Sequence, residues 1–236
     1  MPIYNIYKLK LAREKYMNVL ILKIIALSTM IIDHYGAIFH SDAEIFRIIG
    51  RLAFPVYCFL LVEGYSHTSS IKKYAGRLLL FAVISEVPFD LAFYDKIFLF
   101  HQNIFFTLFI GLITMYFLDN GSKYNINRNA VIIISCILAT ILFVDYGATG
   151  IIYILAFYFT KNHDKIKRFK IVGLVMLAVN LLSSVLQQFS LLALSFLYFY
   201  NGELGPKNKF LQILFYVAYP IHLLIFYILK TGGLSF

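Results

Sequence analysis

Lys23 and His34 stand eleven residues apart inside one apolar run, Asn18 to Gly36. Eleven steps of ~100° end within about 20° of three full turns, so in a helix the two side chains share a face, about 16 Å apart along the axis. An ammonium and an imidazole inside hydrocarbon are costly and mark function by default. At neutral pH an imidazole can take a proton from an amine or hydroxyl, or accept an acyl group itself. A lysine on the same stripe can hold an anionic group.

The elements that carry this pair are membrane helices. The chain is 61% hydrophobic and 14% charged, against about a quarter charged in soluble domains, and its mean hydropathy is +0.78. The reading is all-α, a polytopic transmembrane helix bundle. Apolar runs at 18–39, 44–65, 74–94, 101–118, 129–144, 146–160, 168–186, 188–200 and 208–230 predict nine spans, in a range of eight to ten. A basic segment, 1–17, is expected on the interface ahead of a single domain, 18–236. The first run does not resemble a cleaved signal, since it carries Asp33 and His34 and no small-x-small site follows. Cys58 and Cys136 fall within apolar runs and read as small core residues rather than a disulfide.

The net charge of +9 points to orientation rather than nucleic acid. Fifteen Lys and Arg fall before the first run or after even-numbered ones, among them Lys72, Lys73, Lys165, Lys167 and Arg168, while Lys96 and Lys230 alone fall on the opposite side. That asymmetry places the N-terminus in the cytoplasm. Depth then sorts the remaining polar residues into two layers. The outer layer gathers Asp33, His34, Arg47, Arg51, Glu86, Asp90, Asn103, Asp145 and His222; the inner one gathers Lys23, Glu63, His67 and Arg77, near Lys72 and Lys73. Buried charges of this kind face a bundle interior or a wet cavity.

Most of these residues also have plainer readings. Arg51 with Glu86, or Glu63 with Arg77, could be structural ion pairs. Arg47 could snorkel to the outer interface. His222 follows Pro220, and its ring could satisfy a carbonyl that the proline frees. His101, Asp145 and His163 lie in loops, where solvation is the simpler account. Asp33 points about 100° away from His34 on a helix, so Glu86, Asp90 or His222 are better partners for the imidazole.

At these positions the chain resembles the TraX family of bacterial membrane proteins, whose namesake acetylates the N-terminus of conjugative pilin. The matching blocks include Lys-Ile-Ile-Ala (23–26), Asp-His-Tyr-Gly (33–36), Arg-Leu-Ala-Phe-Pro-Val (51–56), Glu-Gly-Tyr (63–65) and Tyr-Ala-Gly-Arg-Leu (74–78). Others are Ser-Glu-Val-Pro-Phe-Asp-Leu (85–91), Asn103 through Thr107, Asp-Tyr-Gly (145–147) and Tyr-Pro-Ile-His-Leu (219–223). The family is similar to the wider group of transmembrane acyltransferases, with a basic residue, ten positions and a histidine in an early helix. The resemblance implies acetyl-CoA as donor, in a bacterial cytoplasmic (inner) membrane. His34 would be base or acyl relay in a network with Asp33, Glu86, Asp90 and His222, and Arg51 or Asn103 would stabilise the oxyanion. Lys23, Arg77, Lys72 and Lys73, with Glu63 beside them, would form the donor's basic inner mouth. Asn103, Thr107 and Asp145 would serve the acceptor, which could be a pilin or other secreted peptide N-terminus, or a glycan hydroxyl.

Two other classes compete. A proton-coupled transporter would also carry intramembrane His, Asp and Arg, with helices broken at Pro55, Pro88 and Pro220, though the expected inverted repeat is not apparent. A non-enzymatic assembly protein would not need aligned polar layers. The sequence contains no Walker loop, no Gly-x-Ser-x-Gly and no His-Glu-x-x-His, and no metal is expected.

Overall fold

The computed structural model describes residues 17–206 and 208–232. Residues 1–16 of the expected basic segment, and Lys207, lie outside the described residues. Each apolar run noted above contains helix. Helix α1 spans Val19–Phe39; α2 (Glu44–Gly50) and α3 (Ala53–His67) share the second run; α4 spans Ile71–Tyr94 and α5 Ile104–Asn120. Helix α6 spans Arg128–Ile141, α7 Gly147–Phe159 and α8 Lys165–Asn180; a 3₁₀ stretch (Val185–Leu192) then leads into α9 (Ala193–Tyr198), and α10 spans Lys209–Thr231.

Four of these stretches are long and apolar enough to cross a membrane: Val19–Phe39, Glu44–His67, Ile104–Tyr124 and Lys209–Thr231. Helix α4 has 24 residues, but Lys72, Lys73, Arg77, Glu86 and Asp90 lower its hydropathy. Helices α6 and α7, with 14 and 13 residues, reach about 20 Å, short of ~30 Å of hydrocarbon.

Local chemistry sets the helix ends. Asparagine side chains accept backbone N–H groups at the starts of α1 (Asn18 from Ile21, 3.0 Å), α5 (Asn103 from Phe105, 3.1 Å) and α10 (Asn208 from Phe210, 2.8 Å). Pro55 sits in the first turn of α3, where its missing N–H has no helical partner to lose.

Helix ends meet at two opposite poles. At one, the Met17 N–H donates to Phe199 O (3.1 Å), the Val19 N–H to Glu203 O (3.0 Å), and Lys165 Nζ to Tyr200 O (3.0 Å). Glu63 meets Arg168 there at 3.7 Å, and Asp119 accepts from the hydroxyls of Tyr65 (2.6 Å) and Tyr158. At the other pole, the Gln102 N–H donates to Phe143 O and the Asp145 N–H to Gln102 O, both 2.9 Å, and Lys230 pairs with Asp95 at 2.7 Å. The chain therefore passes back and forth between two polar ends, around a core that includes Phe59, Leu112, Ile151, Tyr153 and Phe157. Its outer faces are apolar: Leu79, Leu80, Val83, Ile84 and Val87 on α4, and Ile133, Ile134, Ile137, Leu138 and Ile141 on α6, are all exposed. Patches of this extent suit lipid rather than water.

Candidate active site

Two cavities lie end to end along the bundle. The outer one, about 290 Å³, is lined by Asp33, His34, Arg47, Arg51, His101 and Asp145, among others. The inner one, about 500 Å³, is lined by Lys23, Glu63, His67, Arg77, Asn208 and Lys209, among others. Tyr57, Ile104 and Tyr219 line both.

His34, from α1, meets His222, from α10, with Nδ1 and Nε2 2.7 Å apart. The protons can be assigned from the partners. His222 Nδ1 lies 2.8 Å from Ala218 O, and a carbonyl only accepts, so Nδ1 of His222 carries a hydrogen. In the neutral pair His222 Nε2 is then the acceptor, and His34 Nδ1–H donates to it. His34 Nε2 keeps its lone pair and has no hydrogen-bond partner among the described residues. Phe93 and Tyr219 pack edge-on to the His34 ring at 5.2 and 5.9 Å. Neighbouring rings and a partner nitrogen thus fix a bare basic nitrogen in a chamber.

Asp33 faces away from His34. It is clamped by Arg47 Nη1 (2.8 Å) and Arg51 Nη2 (3.0 Å), so one carboxylate is shared by two guanidiniums. A Cβ at Gly50 would collide with the Asp33 carboxyl, and one at Gly36 with Phe46, so α1 and α2 touch where both glycines allow it. Arg51 also donates to Gln187 Oε1 (3.3 Å), and the Gln187 carbonyl accepts from Asn180 (2.9 Å). This link was not visible in the sequence, where Gln187 falls between the apolar runs 168–186 and 188–200 and reads as a short connection.

Glu86 and Asp90 are not brought to the histidines. Glu86 Oε2 accepts from the backbone N–H (3.3 Å) and the side chain of Asn103, and Asp90 Oδ2 accepts from the Phe98 N–H (2.9 Å). Both strap down the α4–α5 connection. Asn103 is fully buried, and its side chain also donates to Ala82 O (2.8 Å). The Thr107 hydroxyl, also fully buried, donates to the Asp145 carbonyl, leaving the Asp145 carboxylate to line the chamber. Arg51 therefore pairs with Asp33 and not Glu86; both acids had the right depth and the wrong azimuth. His101 lies 3.6 Å from Asp145 and 2.5 Å from the Tyr94 hydroxyl. Asp145, opposed by the ring's partial burial, pushes the His101 pKa up.

In the inner cavity Lys23 lies 5.6 Å above the Phe215 ring and Arg77 5.5 Å from the Tyr74 ring. Neither has a carboxylate partner among the described residues, because Glu63 is engaged by Arg168 and by the Tyr200 hydroxyl (3.3 Å). Lys72 and Lys73 are exposed in the first turn of α4 and do not line the cavity, whereas Lys209 does. Among the described residues no group of His, Cys, Asp and Glu is placed to hold a metal ion.

Comparison with known proteins adds a family. The family described as TraX protein matches residues 18–230. A relative named probable fimbrial assembly protein FimC, serogroup H1, from Dichelobacter nodosus, is 30% identical over 226 residues, covering 86% of this chain and 91% of its own. An uncharacterized protein of Rickettsia prowazekii (strain Madrid E) is 31% identical over 148 residues, covering 61% of this chain and 56% of its own. No solved structure matches significantly.

Proposed function

Since the chain belongs to the TraX family, we propose that it is an integral-membrane acetyltransferase that carries an acetyl group from cytoplasmic acetyl-CoA to an acceptor near the outer half of the inner membrane. The observation that carries this reading is the stacking of the two cavities, with two cations lacking carboxylate partners in one and the bare His34 Nε2 in the other. Lys23 and Arg77 hold the donor's phosphates by charge-assisted hydrogen bonds. The pantetheine arm follows the α1 stripe past Tyr57, Ile104 and Tyr219 and presents the thioester in the outer chamber. There His34 Nε2 takes the proton of the acceptor amine or hydroxyl as it attacks the carbonyl; the alternative is attack by Nε2 itself, giving an acetyl-histidine. Arg51 or Arg47 stabilises the oxyanion. CoA leaves as the thiol, carrying the proton that His34 returns. A pilin-like or other secreted peptide N-terminus, or a glycan hydroxyl, enters where Arg47, His101 and Asp145 are partly exposed, with side-chain exposures of 31, 39 and 32%.

Nine passes with a cytoplasmic N-terminus fit the Lys and Arg asymmetry and the two-pole arrangement, the short helices lying among longer neighbours. A non-enzymatic assembly role is the second reading, favoured by the name of the Dichelobacter relative; a transporter would also use stacked cavities. Binding separates them. Purified full-length protein should bind acetyl-CoA, and Lys23→Ala should weaken that binding roughly tenfold or more, the loss of one charged contact worth about 1.5–3 kcal/mol. Wild-type protein that ignores acetyl-CoA would remove the enzyme reading, and an unchanged affinity in the variant would take Lys23 off the donor path.

A further inference from the structure

A third cation, Lys209, lines the inner cavity together with Lys23 and Arg77, and the three come from three helices, α10, α1 and α4. Like the other two, Lys209 has no carboxylate partner among the described residues. The one described acid in the lining, Glu63, is engaged by Arg168 at 3.7 Å. Lys72, Lys73 and Lys167 are exposed at the same pole and do not line the cavity, so a place at this pole does not by itself account for Lys209. We propose that Lys209 reads the 3′-phosphate of the donor's ribose, so that the cavity takes CoA thioesters in preference to their 3′-dephospho forms. This inference rests on the acetyl-CoA reading above.

Count and depth carry the assignment. Acetyl-CoA has two anionic centres beyond its thioester arm: a diphosphate, and a phosphomonoester on the ribose with a charge of about −1.5 to −2 at pH 7. Lys23 and Arg77 suffice for the diphosphate and are the deeper pair. Both are half-buried, Lys23 at 5.6 Å from the Phe215 ring and Arg77 at 5.5 Å from the Tyr74 ring. Lys209 is exposed, in the first turn of α10. It precedes His222 by thirteen residues, and Lys23 precedes His34 by eleven, along two helices that leave this pole together and meet at the histidines. The Lys209 backbone therefore lies about 3 Å nearer the pole. In the donor, the 3′-phosphate is farther from the thioester than the diphosphate is. With the reactive end directed into the bundle, the diphosphate meets the deeper pair and the 3′-phosphate meets the last cation. A compact ammonium on a flexible stem suits an exposed phosphomonoester, for which no fixed fork is needed. The other residues that α10 gives to this lining, Leu211, Gln212, Phe215, Tyr216 and Tyr219, carry no charge.

The test is equilibrium binding of acetyl-CoA and 3′-dephospho-acetyl-CoA to purified full-length protein in detergent. At low ionic strength wild type should bind acetyl-CoA about fivefold or more tightly than the dephospho form, and the gap should narrow as salt is added, because the contact is exposed. Lys209→Ala should weaken acetyl-CoA by that same factor, leave the dephospho form within about twofold and so close the gap; Lys209→Arg should keep it. Lys23→Ala should weaken both donors alike and preserve the gap. Lys167→Ala, which removes another exposed lysine of this pole, should change neither affinity by more than about twofold. Wild type that binds the two donors equally, or a gap that survives in Lys209→Ala, would overturn the assignment and leave the acetyl-CoA reading standing. Wild type that binds neither donor would sink both.

Discussion

The pairing of His34 with His222 decides which nitrogen is left without a hydrogen-bond partner among the described residues. Because Ala218 O fixes the His222 hydrogen on Nδ1, His34 must donate through its own Nδ1, and Nε2 is left bare. His222 thus holds the ring and the tautomer of His34, and in the acyltransferase reading it is a positioning residue. Removing it frees the ring without removing the base. His222→Ala should therefore lower kcat by about 10²-fold and leave acetyl-CoA affinity unchanged; a loss confined to donor binding would contradict this role. His101 titrates at the chamber's mouth. Its pKa is raised by Asp145, so the clamp it forms contributes stability below the ordinary histidine pKa of about 6.5, and that stability is lost as pH rises through the raised value. In detergent melts His101→Gln should lower Tm near pH 5.5, and the difference from wild type should shrink as pH rises; a difference independent of pH would contradict the assignment. At this scale depth was legible in the sequence. Residue counting from the helix ends put His34 and His222 at one level, and the structure joins them. Azimuth was not. Phe89 and Phe93 line the chamber from α4, while Glu86 and Asp90, three residues before each, are rotated about 60° out of it.

At the scale of elements, the site depends on the close contact of α1 with α2. Gly50 gives up its side chain to the Asp33 carboxyl, and that carboxyl gathers Arg47 and Arg51. Gly50→Ala should push Asp33 off both guanidiniums, at about 1–3 kcal/mol of overpacking, and should lower Tm together with transfer activity. A variant that melts and turns over like wild type would show that the α1–α2 crossing is looser than described. The runs of apolar residues made the long helices legible but not the break between α2 and α3: residues 44–65 read as one run, whereas the helix is interrupted at Arg51 and Leu52 and Pro55 lies inside α3. The Asn18, Asn103 and Asn208 caps follow ordinary helix-start chemistry. Tyr57, Ile104 and Tyr219, which line both cavities, were invisible for the opposite reason: they are residue types that fill any membrane core.

At the scale of the molecule, the residues that the sequence sorted into two polar layers divide in the structure along a different line. Some members line cavities (Lys23, His34, Arg51, Arg77, Asp145) and others tie helix ends together (Glu86, Asp90, Asn103). The sequence could not make that division, because both tasks recruit the same polar types to the same depth. Two cavities lined in common by Tyr57, Ile104 and Tyr219, with cations in one and His34 in the other, are what supports the proposed reading of a donor and an acceptor that arrive from opposite faces of the membrane. The most direct test is transfer across that membrane. Labelled acetyl-CoA is supplied to the cytoplasmic face of sealed vesicles carrying wild type or His34→Ala, and acetyl label in the envelope is counted. Label should appear with wild type and fall at least ~10²-fold with His34→Ala, the variant remaining folded in detergent; equal labelling by the two would contradict the assignment of His34 as the reactive residue.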